Sequence, residues 1–368
     1  MGILRTNTIS GIGSDGPVFN GVTKFDTQGY IVPPSGTTDQ RSAGITTAQG
    51  TIRFNTDSQK LEFYAQDQWW EMVIDTPNLG VSSNTGAGAR GVFNGPSDTN
   101  VIDYINIASA GNAIDFGDMT NTPRSFAGAC ASSTRGLFGG GYTPVNLNMI
   151  DYITISSTGN STDFGDLTQA RGEVGGCSSS TRGLFASGYT GDRVNTIDYV
   201  TISSTGNAND FGDLTVGRSG TSGCSSPTRG IWSGGFGPVT NVIDFITIST
   251  LGNATDFGDL TAGRTNLPSC SNPIRGLFAA GYPGTNIIDF VTIATLGNAI
   301  DFGDLTDTKY AAGSCASSTR GVWAGAGSPI GNLISYVTIL TQGNAVYFGD
   351  LTSSRGAMAG LSNAHGGL

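Results

Sequence analysis

The chain has 368 residues, a net charge of −10, 57 glycines, and charged residues at only 12% where about a quarter is usual. Nucleic acid is excluded as a partner on that balance, since phosphate contacts need clustered Lys and Arg and the only lysines are Lys24, Lys60 and Lys309. So much glycine suits tightly turned β-structure rather than helices, and no apolar run of about eighteen residues is present, so no membrane insertion is expected.

Residues 1–80 read as a small β-rich N-terminal domain. Val18 to Phe25 alternates apolar and polar, the stretch from Val32 to Thr38 breaks, and a meander follows over Thr51–Phe54, Lys60–Tyr64 and Gln68–Val73. Trp69 and Trp70 are adjacent, so their strand shows one large aromatic on each side, and a module this small buries little surface alone. One of the two is therefore a docking candidate, against the equally simple alternative of a self-contained domain with one exposed Trp. Asn78 to Ala89, rich in Gly and Ser, reads as a linker.

Residues 81–368 are one unit written six times. Arg-Gly opens it at Arg90, Arg135, Arg182, Arg229, Arg275 and Arg320, at spacings of 45, 47, 47, 46 and 45 residues, the period of propeller blades or solenoid coils. Each unit has four short apolar runs divided by turn residues, so four strands. The third, as in Ile150–Ile155, is apolar on both faces and needs cover on each side, which radial packing of blades supplies. Gly-Asn recurs at Gly111, Gly159, Gly206, Gly252, Gly297 and Gly343, where positive φ is easily adopted, and reads as the reversal into the last strand. Cys130, Cys177, Cys224, Cys270 and Cys315 fall at one equivalent place, so free, buried thiols are expected rather than disulfides. The first unit lacks an innermost strand of its own. Gly356 to Leu361, with Ala, Met and Leu, fits that place better than Val81 to Thr85, with His365 then standing where other units have Arg.

The repeat resembles the kelch-type β-propeller over roughly residues 81–368. The features that carry the resemblance are Gly140-Gly141 and Gly234-Gly235, the aromatic series Tyr104, Tyr152, Tyr199, Phe245, Phe290 and Tyr336, and the link arginines Arg124, Arg171, Arg218, Arg264 and Arg355. It departs in having Phe116, Phe164, Phe211, Phe257, Phe302 and Phe348 as outer aromatics, Lys309 for a link Arg and Ser335 for Asp. The fold implied is all-β, a six-bladed kelch-like β-propeller with four strands per blade behind the small N-terminal domain. Val32 to Arg41, Gly50 to Thr56, Leu61 to Tyr64 and Trp69-Trp70-Glu71 resemble the attachment module of appendage and fibre proteins of tailed bacteriophages, cyanophages especially. That resemblance implies a virion structural protein, made in the host cytoplasm, homo-oligomeric and joined to other virion proteins through residues 1–80. The propeller would then project towards a host-surface glycan or protein.

No cofactor, metal or catalytic residue is expected. Asp-Phe-Gly recurs in five units, led by Asp115, Asp163, Asp210, Asp256 and Asp301, and so serves the repeat rather than a magnesium ion. Pairs such as Asp163/Asp166 point to opposite strand faces and lack the six or more oxygens that calcium takes, so a solvated or Arg-paired acid is expected. His365 is the sole histidine, which leaves no triad within the chain. A glycan-degrading enzyme is the alternative reading, and it would need a singular carboxylate pair where the Asp residues recur in step. The connections between second and third strands do vary, and they carry the ligand-binding candidates Tyr142, Tyr189, Arg193, Phe236 and Tyr282.

Overall fold

The computed structural model describes residues 33–41, 49–58, 60–71, 89–95, 99–120, 123–327 and 329–368. It divides into two compact units, Met1–Thr76 and Pro77–Leu368. The expected strand at 18–25 and the segment 81–85 lie outside the described residues.

In the first unit, Ser35–Gly36, Ile52–Asn55, Lys60–Ala65 and Gln68–Glu71 form one sheet in that order, the first pair parallel and the others antiparallel. The meander read as three strands therefore has a fourth. Register puts Arg53, Asn55, Glu62, Tyr64 and Trp69 on one face and Ile52, Phe54, Leu61, Phe63 and Trp70 on the other. The first face is organised by Glu62, whose fully buried carboxylate takes hydrogen bonds from Arg41 and from Asn55 Nδ2 at 2.7 Å, with Arg53 Nε at 3.7 Å. The Arg41 hydrogen bond, aided by Asn55, holds that carboxyl below its usual range despite burial.

The second unit holds six four-stranded antiparallel sheets, so the described residues contain seven four-stranded sheets in all. We number the six I to VI by their Arg-Gly strands. Sheet III is typical: an inner strand Gly175–Ser178, a second strand Arg182–Ala186, a third Thr196–Thr201 and an outer Asn209–Asp213. Sheets II, IV, V and VI start from the inner strands Gly128–Ala131, Ser222–Ser225, Ser269–Ser271 and Gly313–Ala316. Sheet I takes its inner strand from the chain's end: Ala359–Ser362 pairs with Arg90–Asn94, Gly360 opposite Phe93 and Leu361 opposite Val92. The inner strands touch in the cyclic order I, II, III, IV, V, VI and back to I, a propeller-like arrangement of blades.

The repeat's fixed residues explain how neighbouring blades are joined. Each Arg-Gly arginine lies over the aromatic ring of its own third strand, as Arg182 Cζ does 4.7 Å from the Tyr199 centroid, and donates to a carbonyl of the next blade, here Ile248 at 2.6 Å. The glycine beside it makes room for the previous blade's cysteine: a Cβ on Gly183 would stand 2.7 Å from Cys130 Sγ. All five thiols are accordingly free and buried, and burial raises their pKa values, that of Cys224 to about 12.

The expectation for Gly-Asn was incomplete, whereas the Asp-Phe-Gly aspartate is the solvated acid that was one of its two expected forms. Gly-Asn does more than turn the chain, because it covers the edge of the preceding blade's outer strand. Gly206 N–H donates to Phe164 O at 2.8 Å and Asn207 Oδ1 accepts from Asp166 N–H at 3.0 Å, with the same bonds around the ring to Asn112 on Asp350. The Asp-Phe-Gly glycine is small for that reason, since a Cβ on Gly165 would lie 2.5 Å from Gly206 O. Its phenylalanine is core, edge-to-face with the third-strand aromatic at 5.7–6.0 Å between centroids. The aspartate is solvent-exposed, whereas the Arg-paired acid belongs to the third strand. Arg124, Arg171, Arg218, Arg264 and Arg355 each reach a buried partner in the following blade, Asp151, Asp198, Asp244, Asp289 and Asp103.

Candidate functional site

Connections between second and third strands meet the links between blades on one face, through bridges Ser125 to Tyr142, Gly172 to Tyr189, Ser219 to Phe236 and Thr265 to Tyr282. These aromatics therefore occupy one equivalent position in blades II to V, and they are 48%, 41%, 42% and 55% exposed. That is high for large rings on backbone fixed by bridges, so they form an arc of presented aromatic surface rather than core. Blade VI has Gly327 at this position, where its second and third strands run on into a tighter hairpin.

Arg193 joins two of the rings. It leaves blade III beside Tyr189, to which its own backbone is bridged, and its guanidinium lies 4.4 Å from the Phe236 centroid in blade IV and 6.0 Å from that of Tyr189. Gly237 lets the stem pass, since a Cβ there would stand 2.6 Å from Arg193 Cδ. Every other basic side chain of the second unit is committed. The link arginines and Lys309 are buried with carboxylates, and the Arg-Gly arginines donate to the next blade's carbonyls. Arg193 alone presents a charge to solvent without a carboxylate or carbonyl partner among the described residues.

The ring's axis offers little room. Two cavities there, of about 100 and 50 Å³, are lined by the small inner-strand residues Ala129, Gly176, Gly223, Ser269, Ser314 and Gly360. Those volumes are on the scale of a few water molecules at roughly 30 Å³ each. His365 does not stand in for a repeat arginine, as Leu361 and not Gly360 occupies the cysteine place. Instead the tail beyond Ser362 turns across the axis. Asn363 Oδ1 accepts the Arg90 N–H at 2.7 Å, and His365 Nε2 lies 2.8 Å from Ala131 O in blade II and 3.3 Å from Ser178 Oγ in blade III. Burial lowers the imidazole pKa, so near neutral pH it is uncharged and donates to that carbonyl. Among the described residues no His, Cys, Asp and Glu cluster of metal-binding size occurs.

In the first unit the docking candidates separate as their alternation requires. Trp69 is half-buried, edge-to-face with Tyr64 at 5.4 Å and under Arg53 at 5.7 Å, whereas Trp70 is 42% exposed on the Ile52 face.

A further exposed set was missed in the sequence. Outer strands begin with Ile300, Val346 and Ile114 in the adjacent blades V, VI and I, all more than half exposed, where II, III and IV begin with Thr162, Asn209 and Thr255. Alignment of the repeats carries that signal, hidden because β-branched residues of either polarity suit a strand.

Compared with known protein families and with curated proteins, the chain matches none.

Proposed function

We propose that the chain is a structural and adhesive protein of a bacteriophage particle, a six-bladed kelch-like propeller displayed outward from an N-terminal module that docks to other virion proteins. The observation that carries this reading is the division of labour between the two units. The first has one face tied up around Glu62 and an opposite face, Ile52, Phe54, Leu61, Phe63 and Trp70, with no residue there fully buried among the described ones. An apolar sheet face of that kind is what an attachment module needs. The second spends its recurring arginines on joining blades and presents the variable residues of its second-to-third-strand connections on one face, as a rigid display scaffold does. The apolar rim of Ile300, Val346 and Ile114 supports packing against further copies or other subunits.

The test uses the separation of the units. A chain beginning at Ala89 keeps every described strand of blades I to VI and is expected to fold, yet to be absent from purified particles when it replaces the full chain. Incorporation at the level of the full chain would overturn the docking role.

A further inference from the structure

Among the described residues Arg193 is the one basic side chain of the second unit left to meet a partner from outside, and its guanidinium lies over Phe236, 4.4 Å from the ring centroid, with that of Tyr189 at 6.0 Å. A guanidinium held over an aromatic face by cation–π attraction keeps N–H donors for a carboxylate, which an arginine takes through paired hydrogen bonds. On both sides lie exposed rings, Tyr142 and Tyr189 in blades II and III and Phe236 and Tyr282 in blades IV and V, at the same place in each blade. Flat aromatic faces repeated along an arc favour a ligand that is itself a chain of flat units with apolar faces. A cleft for one small molecule would gather them instead. Pyranose rings offer such faces.

We propose that this arc binds an acidic polysaccharide, with successive sugars lying on the aromatic rings and a uronate carboxylate held by Arg193. The charge pattern fits the choice. A chain of net charge −10 repels anions at long range, so recognition of an acidic glycan needs a local cation, and the arc contains one. The inference rests on the display role proposed above but not on particle attachment: loss of glycan binding leaves incorporation unchanged, and the two fail separately.

The test is binding of the full-length protein to hexasaccharides of galacturonate, mannuronate-guluronate and hyaluronan, with a neutral glucan hexasaccharide beside them. At least one uronate ligand is expected to bind, more weakly as salt rises. Tyr189→Ala and Phe236→Ala should each weaken that binding about tenfold or more, the loss of a presented aromatic anchor. Arg193→Gln should weaken it about tenfold at low salt and remove most of the salt dependence, with Arg193→Lys between the two. Ile330→Ala, an exposed apolar change in blade VI, should alter nothing. All of these positions are exposed, so unchanged melting temperatures show that the variants fold. The proposal is overturned if no uronate ligand binds, if the neutral glucan binds equally well and Arg193→Gln leaves its affinity intact, or if binding survives both aromatic substitutions.

Discussion

A chain ending at Arg355 is expected to melt far below the full chain and to aggregate, although it lacks only 13 of 368 residues. Those residues supply the inner strand of blade I, which pairs with Arg90–Asn94 and packs between the inner strands of blades VI and II. Met358 and Leu361 are buried there, and Leu361 fills the place of the repeat cysteine, its Cδ1 facing Gly136. Burial of two such side chains at about 1.5–3 kcal/mol each and a strand's worth of hydrogen bonds at about 1 kcal/mol each puts the loss at roughly 5–10 kcal/mol. Worse, the Arg90–Asn94 edge becomes open to other chains. Thermal unfolding with light scattering checks this, and replacing residues 81–85 with Gly and Ser should leave both readings near those of the full chain. The opposite ranking would show that the C-terminal strand does not seal the molecule.

Arg171→Met should destabilise the second unit by about 3–5 kcal/mol, the usual cost of stranding one member of a buried ion pair. Arg171 and Asp198 are both wholly buried, 3.1 Å apart, and the carboxylate also accepts from Thr168 N–H and Oγ. Burial lowers the guanidinium pKa, but a base of that strength stays protonated, so Arg171 keeps its charge. Blade VI shows how the chain itself replaces the pair. There Ser335 stands for Asp, Lys309 for Arg, and Asp307 follows Lys309 Nζ at 3.1 Å from the link two residues earlier. Desolvation lowers the pKa of that buried ammonium, and Asp307 opposes the shift. Gln169→Asp with Arg171→Lys and Asp198→Ser transplants that arrangement into blade III and should recover most of the loss. Chemical denaturation of the single and triple variants measures it; a triple variant no more stable than Arg171→Met would mean that the two solutions are not interchangeable.

The architecture was legible because a repeat prints its constraints several times over. Arg-Gly, the third-strand aromatic, Asp-Phe-Gly and the cysteine keep step through the chain, and a residue that recurs at one phase has one structural task. The tasks themselves were only partly legible. That Gly183 is small for Cys130, or Gly165 for Gly206, concerns contact between blades, and a pattern of period two reports the faces of a strand but not what lies across them. For the same reason the exposed Asp163 and the buried Asp198 could not be told apart, both being aspartates in short strands. The candidate arc came from the opposite signal, residues that fail to keep step. It located Tyr142, Tyr189, Phe236 and Tyr282 on one face, and the structure added the stacking of Arg193 across the blade boundary, which no spacing in the sequence encodes.

Site-specific labelling of intact particles tests the central claim most directly, because it asks at once whether the protein is in the particle and which end faces out. The five native thiols are buried and held protonated, so maleimide-gold is directed to an introduced cysteine. Val145→Cys places it beside the aromatic arc, at a position 63% exposed, and Gln68→Cys places it on the exposed edge of the N-terminal sheet. Gold on particles carrying Val145→Cys, with Gln68→Cys labelled only after the particles are taken apart, is the predicted result. Labelling of Gln68→Cys but not Val145→Cys on intact particles, or particles that lack the protein altogether, would contradict it.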